Sequence, residues 1–409
     1  MDQTDMGCCS CFGFLRKPRT LLHFRASDSF FSNDLLVSQH DGDDPDTIFY
    51  GGQDNDFLYQ SDNGPQRPAK RSQEIILSRA QSGFVCRQVP VKETKKAICH
   101  EDENGNKMVN EYIHQRKIGS GSYGKVVLYR NTKDGKLYAV KVLHKSYMKK
   151  VSIMKMLDHP NIVNLIEVID DPEIDKFYMV LEYVEQKLVC DNGLGETSSR
   201  KYLRAIISGL MYLHSHNIIH GDIKPDNLLV TINGNVKIGD FSVSQIFEDD
   251  DDTLRRSPGT PVFTAPECCQ GLTYHGRAAD TWAVGVTLYC MIFGQYPFLG
   301  DTLQETYDKI VNDTVEIPDG MNPQLVDLLE RLLCKEVIYA SWDGCIAEPR
   351  DRITLQGAAQ HPWVVGDEGP IPEYWCRCGF GRRKQVQASE EQVQRQQGYL
   401  CKESAGLLV

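Results

Sequence analysis

The spacing of apolar residues divides the chain into three stretches. Between Tyr112 and about Trp363 they first alternate with polar positions, as half-buried strands do, and then gather into long runs that read as buried helices. That order predicts an α+β chain with a small sheet-rich lobe followed by a larger helical one. The longest nearly apolar run, "WAVGVTLYCMIFG" from Trp282 to Gly294, is shorter than the ~20 residues of a membrane-spanning helix and predicts a core helix. Residues 1–111 carry polar, acidic stretches such as "DGDDPDTIFYGGQDNDFLYQSDNGPQRPAK" with no sustained period, so a largely disordered extension is expected there. Residues 364–409 read as a polar, Gln-rich tail with a basic "RRK" at 382–384. The three parts are then 1–111, 112–363 and 364–409.

Charge and cysteine content narrow the classes. Lys plus Arg number 45 against 56 for Asp plus Glu, a formal charge of −11, which argues against a general nucleic-acid binder. Fourteen cysteines without a compact framework, and no visible secretory leader, favour a reducing compartment, with a cytoplasmic or nuclear location. Cys8, Cys9 and Cys11 beside Arg16 and Lys17 offer an S-acylation site and hence a reversible membrane contact, although a plain tail is the better-supported reading. Cys8 with Cys11 alone makes a poor zinc site, because no second pair lies nearby. The segment "WCRCGFGRRKQ" lacks the sustained amphipathic face of a calmodulin or membrane helix and reads as tail.

The chemistry-bearing residues fall inside 112–363. In "KIGSGSYGKVVLYR" (117–130), Gly119, Gly121 and Gly124 sit between two apolar runs, where backbone N–H groups can close over phosphates without a Cβ in the way. Alone this is a tight hairpin as readily as a nucleotide loop. The strand "YAVKV" that follows adds Lys141, placed to reach the α and β phosphates, with Val126 and Ala139 as apolar walls for a base. "HSHNIIHGDIKPDNLLV" (214–230) is more specific. It sets Asp222 to accept a hydroxyl proton, Lys224 to neutralise charge on a transferring phosphoryl group and Asn227 to bind a metal. Asp240 in "VKIGDFSVSQ" is a second ligand for Mg²⁺, a hard cation that prefers carboxylate oxygen.

With "GTPVFTAPE" (259–267) and "DTWAVGVTLYCMIFG" (280–294), these motifs resemble the eukaryotic protein kinases over about 250 residues. The resemblance implies a bilobal fold with ATP in the cleft and Mg²⁺ as cofactor. It also implies that Ile118, Gly119, Gly121, Gly124 and Val126 cover the nucleotide. Leu181 would be the gatekeeper, Glu182 and Val184 the hinge, and Leu229 the floor of the adenine pocket. Asp280 would hold the catalytic loop, and Glu267 would pair with Arg352. Lys224 together with "GTPVF" resembles the serine/threonine class. The finer likeness, through "HGDIKPDNLL", "IGDFSVSQ", "RRSPGTPVFTAPECC" and "FGQYPFLGDTLQETYDKI", is to the plant geminivirus Rep-interacting kinases, near the calcium/calmodulin-dependent kinase kinases. That likeness implies a protein substrate: the activation-loop threonine of a sucrose-nonfermenting-related, AMP-activated-type kinase.

Several positions depart from the family pattern. Gly221 stands where most kinases carry an Arg, so a phosphate on the activation segment lacks a guanidinium partner. Ser242 replaces a glycine and restricts the turn after Asp240. The pattern also expects a glutamate nine residues before His159, and that count lands on Lys150. Only eighteen positions separate Lys141 from His159, too few for a full helix with its entry loop, so the front half of that helix is expected to be missing near 143–158. Rescue of Lys141 by Glu167, Glu101, Glu103 or Glu111 is a weak alternative. Twelve residues, "VIYASWDGCIAE" (337–348), interrupt the usual spacing before "PRDRITL" and read as an inserted surface loop. The acids of "EDDDDTLRRSPGT" (248–260) read as a solvated, mobile face, with Ser257 a candidate phosphate acceptor between Arg256 and Thr260. Two readings follow: an ATP-dependent protein kinase of reduced activity, or a scaffold of the same fold.

Overall fold

The computed structural model describes residues 86–378 with short breaks, together with Glu74, Ile75, Ser78 and Arg79. Cys8, Cys9, Cys11, Ser257, Trp342 and the 382–384 basic run lie outside the described residues.

The first layer is an eight-stranded sheet in the order β1-β7-β8-β6-β5-β4-β3-β2. Its strands are β1 (Lys92–Thr94), β2 (Cys99–Glu101), β3 (Lys107–Val109), β4 (Tyr112–Gly121), β5 (Gly124–Asn131), β6 (Leu137–His144), β7 (Leu165–Ile169) and β8 (Lys176–Glu182). The three earliest strands correct the expected disorder for residues 92–109, while most of 1–85 lies outside the described residues. β1 pairs in parallel with β7, Lys92 opposite Glu167, and β2–β3 form a hairpin on the far edge. β3 buries Val109 in an apolar cluster with Tyr112, Val127 and Val140, whereas β1 is held by polar contacts. The fully buried Glu167 carboxylate accepts from Thr94 Oγ1 (2.5 Å), Tyr112 Oη (2.7 Å) and Lys92 Nζ (3.0 Å). A buried charge without those donors would be costly, so the upstream strand completes the sheet.

The helix α1 (Met148–Met156) follows a single 3₁₀ turn over Lys145–Tyr147. These twelve residues are all the helical chain between Lys141 and His159. Val151, Ile153 and Met154 are buried and join the main core together with Leu157.

The helical layer is built on α2 (Gly195–Ser215) and α4 (Gly276–Phe293), with the short α3 (Pro266–Cys269) between them in sequence. The predicted core run falls in α4, where Trp282, Val284, Val286, Leu288 and Met291 are fully buried. Helices α5 (Leu303–Asn312), α6 (Pro323–Leu332), α7 (Leu355–Gln360) and α8 (Pro362–Val365) complete it, with the short strands β9 (Gln186–Lys187), β10 (Ile218–Ile219), β11 (Leu228–Val230), β12 (Val236–Ile238) and β13 (Gln245–Ile246). Among the described residues no helix is long and apolar enough to cross a membrane.

The inserted segment is not an irregular loop. It forms a hairpin of β16 (Val337–Ser341) and β17 (Gly344–Glu348), and β17 pairs in parallel with Thr273–Tyr274 of β15 (Thr273–His275). On the other side of β15 lies β14 (Thr253–Leu254), a piece of the activation segment. Asp252, just before it, departs from the expected solvated acidic face: it is 5% exposed and accepts from His275 Nδ1 (2.9 Å) and the Arg277 amide (2.8 Å), while Glu248, Asp249 and Asp250 lie outside the described residues. Burial pushes its pKa up, but the His275 bond and Arg277 outweigh that and hold it below the ordinary carboxylate value. The tail boundary at 363 also moves. Arg204 Nη1 donates to the Val364 and Gly369 carbonyls, each at 2.7 Å, its Nε meets Glu368 at 3.1 Å, and Tyr374 Oη donates to the Asp158 carbonyl at 2.9 Å.

Candidate active site

The segment from β10 (Ile218–Ile219) to β11 (Leu228–Val230) carries the richest set of polar side chains. It is held from below by one carboxylate. Asp280 accepts from the His220 amide (3.0 Å), the Gly221 amide (2.9 Å) and His214 Nε2 (2.9 Å), as the kinase resemblance implied. Gly221 takes a left-handed φ of 79°, where a side chain would add strain. His220 in turn donates from Nε2 to the Gly239 carbonyl (2.9 Å) and packs edge-on against Phe241 at 5.0 Å. These two histidines were missed in the sequence; the density of His in "HSHNIIHGD" was the available signal.

So anchored, the loop presents Asp222 as an acceptor surrounded by donors. Its Oδ2 meets Asn227 Nδ2 (2.9 Å) and Lys224 Nζ (3.0 Å), and its Oδ1 takes the Thr260 amide (3.1 Å) and hydroxyl (2.8 Å). Lys224 also reaches Thr260 Oγ1 at 2.5 Å. Asp222, Lys224, Asn227 and Thr260 are therefore one cluster. Asn227 spends its amide hydrogens on the Asp222 carbonyl (2.8 Å) and carboxylate, which leaves its own oxygen as an acceptor.

The sheet supplies the second cluster. Lys141 on β6 lies opposite Val126 on one side and Met179 on the other, and Ala139 lies opposite Leu181, so Val126, Ala139, Lys141 and Leu181 occupy neighbouring register positions. Ile118 falls at a break in the β4–β5 register, and Gly119 pairs with Val126. Gly121 and Gly124 close the hairpin. At Gly124 (φ 153°) a Cβ would stand 2.1 Å from the Val142 carbonyl oxygen, so only glycine lets β5 approach β6 there. Glu182 is engaged through its carboxylate with the Asn164 amide (2.6 Å) and Lys237 (2.9 Å), Val184 is buried, and Leu229 is half-buried on β11.

Lys141 Nζ meets Asp240 Oδ1 at 2.9 Å. Asp240 takes a φ of 52°, unusual for a residue with a Cβ, and its Oδ1 also accepts from the Ser242 amide (3.3 Å). Burial raises its pKa, but Lys141 outweighs that and holds it below the ordinary carboxylate value. Among the described residues Asp240 is the only carboxylate in ion-pair reach of Lys141. Glu167 is committed elsewhere and, one residue from the Val168 that lies opposite Met179, points to the other face of the sheet. Glu101 lies on the edge strand β2, four strands from β6 and so about 19 Å away. Glu111 pairs with Lys92 (2.7 Å) and Lys133 (3.5 Å). Lys150 lies in α1, its side chain outside the described residues.

A two-layer fold with a glycine hairpin, a strand lysine paired to Asp240, and a loop carboxylate among Lys224, Asn227 and Thr260 defines a phosphotransferase of the protein kinase type. Residues 112–364 match the family described as protein kinase domain, and the chain belongs to that family, within its serine/threonine class. It is 55% identical over 410 residues to the serine/threonine-protein kinase GRIK1 of Arabidopsis thaliana, covering 95% of this chain and 96% of that protein. It is 60% identical over 345 residues to GRIK2 of the same plant, covering 79% of this chain and 82% of that protein. A calcium/calmodulin-dependent protein kinase kinase of Caenorhabditis elegans is 35% identical over 318 residues, 68% of this chain and 56% of that protein. The likeness read from the motifs therefore extends along nearly the whole chain.

Proposed function

We propose that this GRIK-type kinase transfers the γ-phosphoryl group of ATP to the activation-loop threonine of a sucrose-nonfermenting-related kinase, in the cytoplasm or nucleus. The observation that carries the transfer is the Asp222 cluster, in which a base, a cation and an amide share hydrogen bonds. Asp222 accepts the proton of the substrate hydroxyl, and Lys224 offsets charge on the phosphoryl oxygens. Lys141 holds the α and β phosphates. Ile118, Gly119, Gly121, Gly124, Val126, Ala139, Leu181, Glu182, Val184 and Leu229 enclose the nucleotide. The amide oxygen of Asn227 and the ionised Asp240 are hard donors that would hold Mg²⁺, which when bound would supply positive charge against the phosphates. The substrate rests on the likeness to the GRIK proteins. Radiolabelled ATP with a recombinant sucrose-nonfermenting-related catalytic subunit tests both parts. Label is expected on the wild-type substrate and lost when its activation-loop threonine is alanine; equal label on both would reject that threonine as target.

A second reading, a scaffold of low turnover, is favoured by one feature: Lys141 pairs with Asp240, while α1 offers Lys150 where the family carries a glutamate. A glutamate about 4 Å from Lys141 would attract it by roughly 4 kcal/mol at an effective dielectric near 20 and release Asp240 for metal. Lys150→Glu is therefore expected to raise kcat by about 10²-fold, the scale of one preorganised charge. An unchanged kcat in steady-state assays would show that the Asp240 pair already meets the need.

A further inference from the structure

Four side chains that no part of the phosphotransfer site uses converge where the ends of α1 and α2 lie close together. Cys86, from the segment before β1, meets His216, the residue that caps α2, and Cys376 and Cys378 of the C-terminal stretch. Their ligand atoms all lie within 4.8 Å of one another. His216 Nε2 is 3.2 Å from Cys378 Sγ, which is 3.2 Å from Cys376 Sγ. A tetrahedral zinc ion with Zn–S near 2.3 Å sets its sulfurs about 3.8 Å apart, so these atoms need only small shifts to surround one. We propose that Cys86, His216, Cys376 and Cys378 form a structural Cys₃His zinc site.

Three observations support the assignment. His216 is set for it: Nδ1 lies 2.7 Å from the Tyr212 carbonyl, and because a carbonyl only accepts, Nδ1 carries a proton and Nε2, which faces the thiols, is the nitrogen left to bind a metal. A histidine fixed in this way by a backbone carbonyl is the usual outer support of a zinc ligand. The site is also closed. Cys86 is 7% and His216 5% exposed, and four protein ligands leave no open position, which is the composition of a structural rather than a catalytic centre. Finally, the elements that bring the ligands are fastened around the same spot. Arg87, next to Cys86, donates to the Leu157 carbonyl (2.8 Å), the Leu165 carbonyl (2.8 Å) and Asn164 (2.6 Å). Tyr374, two residues before Cys376, binds the Asp158 carbonyl and packs on His159 at 4.4 Å and on Tyr212 at 5.6 Å.

Binding takes three thiolates and one neutral imidazole, with the thiol protons passing to solvent. The ion would join the chain upstream of β1 and the chain downstream of α8 to the end of α2, four residues before His220 of the catalytic loop. It would also sit beside Met156 and Leu157, where α1 ends.

The test uses the full chain purified without chelator. Elemental analysis is expected to find about one zinc per chain, and the Cys376→Ser/Cys378→Ser double variant to lose it; the same variant at Cys8 and Cys11 should retain it. Cobalt exchanged into the wild-type chain should give thiolate-to-metal absorption in the near ultraviolet that the double variant lacks. A wild-type chain with less than about 0.2 zinc, or a double variant with unchanged zinc, overturns the proposal. So does a thiol titration of the metal-free chain, under non-reducing conditions, that finds these cysteines joined as disulfides. Because wild-type metal content and the cobalt spectrum are read without any variant, a poorly folding double variant does not rescue the idea.

Discussion

Asp222→Asn is expected to lower kcat about 10³-fold, within the range general acid–base catalysis contributes, while ATP affinity stays within a few-fold. The reason lies in how the carboxylate is held. Four donors, from Asn227, Lys224, the Thr260 amide and the Thr260 hydroxyl, converge on its two oxygens. Asparagine keeps one of those acceptors, so Lys224 or Thr260 retains a partner and the loop keeps its shape. Its amide nitrogen, however, faces another donor and cannot accept a proton. Lys141 and Asp240 stand in the second cluster and are untouched, which is why nucleotide binding should survive. Single-turnover transfer measured beside an ATP-binding isotherm separates the two effects. A fall of less than tenfold in the transfer rate would mean that Asp222 only positions the hydroxyl and that proton removal is not part of the slow step.

Legibility in the sequence followed how local each arrangement is. Asp222, Lys224 and Asn227 are separated by two or three positions on one loop, so their spacing alone foretold a cluster, and the structure brings them together. Asp280 and the Glu267–Arg352 pair were legible only through the resemblance, since their partners lie tens of residues off. The strands β1 to β3 were not legible: each is three residues long, and β2 is exposed throughout, so no period of two could register. What anchors β1 is a single buried glutamate, a polar signal that hydrophobic patterning cannot carry, and what anchors β3 is the one buried Val109, too little to show a period. The hairpin in the insertion escaped for a related reason, because its partner strand lies more than sixty residues earlier and sequence alone gives no register. The pairing of Lys141 with Asp240 bridges two lobes, and the three places that bring Cys86, His216 and Cys376 with Cys378 together are each more than a hundred residues apart in the chain.

Arg352→Met should destabilise the kinase domain by about 3–5 kcal/mol, the cost of stranding one member of a buried ion pair. Arg352 and Glu267 are each 1% exposed at the side chain, and they meet through two parallel bonds, Nη1 to Oε1 at 2.7 Å and Nη2 to Oε2 at 3.0 Å. The guanidinium also donates to the Cys334 carbonyl (3.0 Å) and the Ala278 carbonyl (3.1 Å) and stands 5.0 Å over the Trp282 ring. With Arg352 gone, Glu267 keeps its charge in a dry pocket at the start of α3, where the activation segment ends. Removing both charges, as in Glu267→Leu with Arg352→Met, takes away that desolvated anion, so the double variant should be more stable than the single one although it has lost more hydrogen bonds. Urea unfolding of the three chains gives the order wild type, double, single. If the double variant unfolds at lower urea than the single, the pair is a net source of stability, and the carboxylate does not depend on its partner for its cost of burial. The prediction reaches function because the pair joins the end of the activation segment to residues just beyond the inserted hairpin, whose strand β17 lies beside β15 and, across it, β14. Loosening it should therefore release Thr260 from Asp222 and reduce transfer to protein substrate more than hydrolysis of ATP by water.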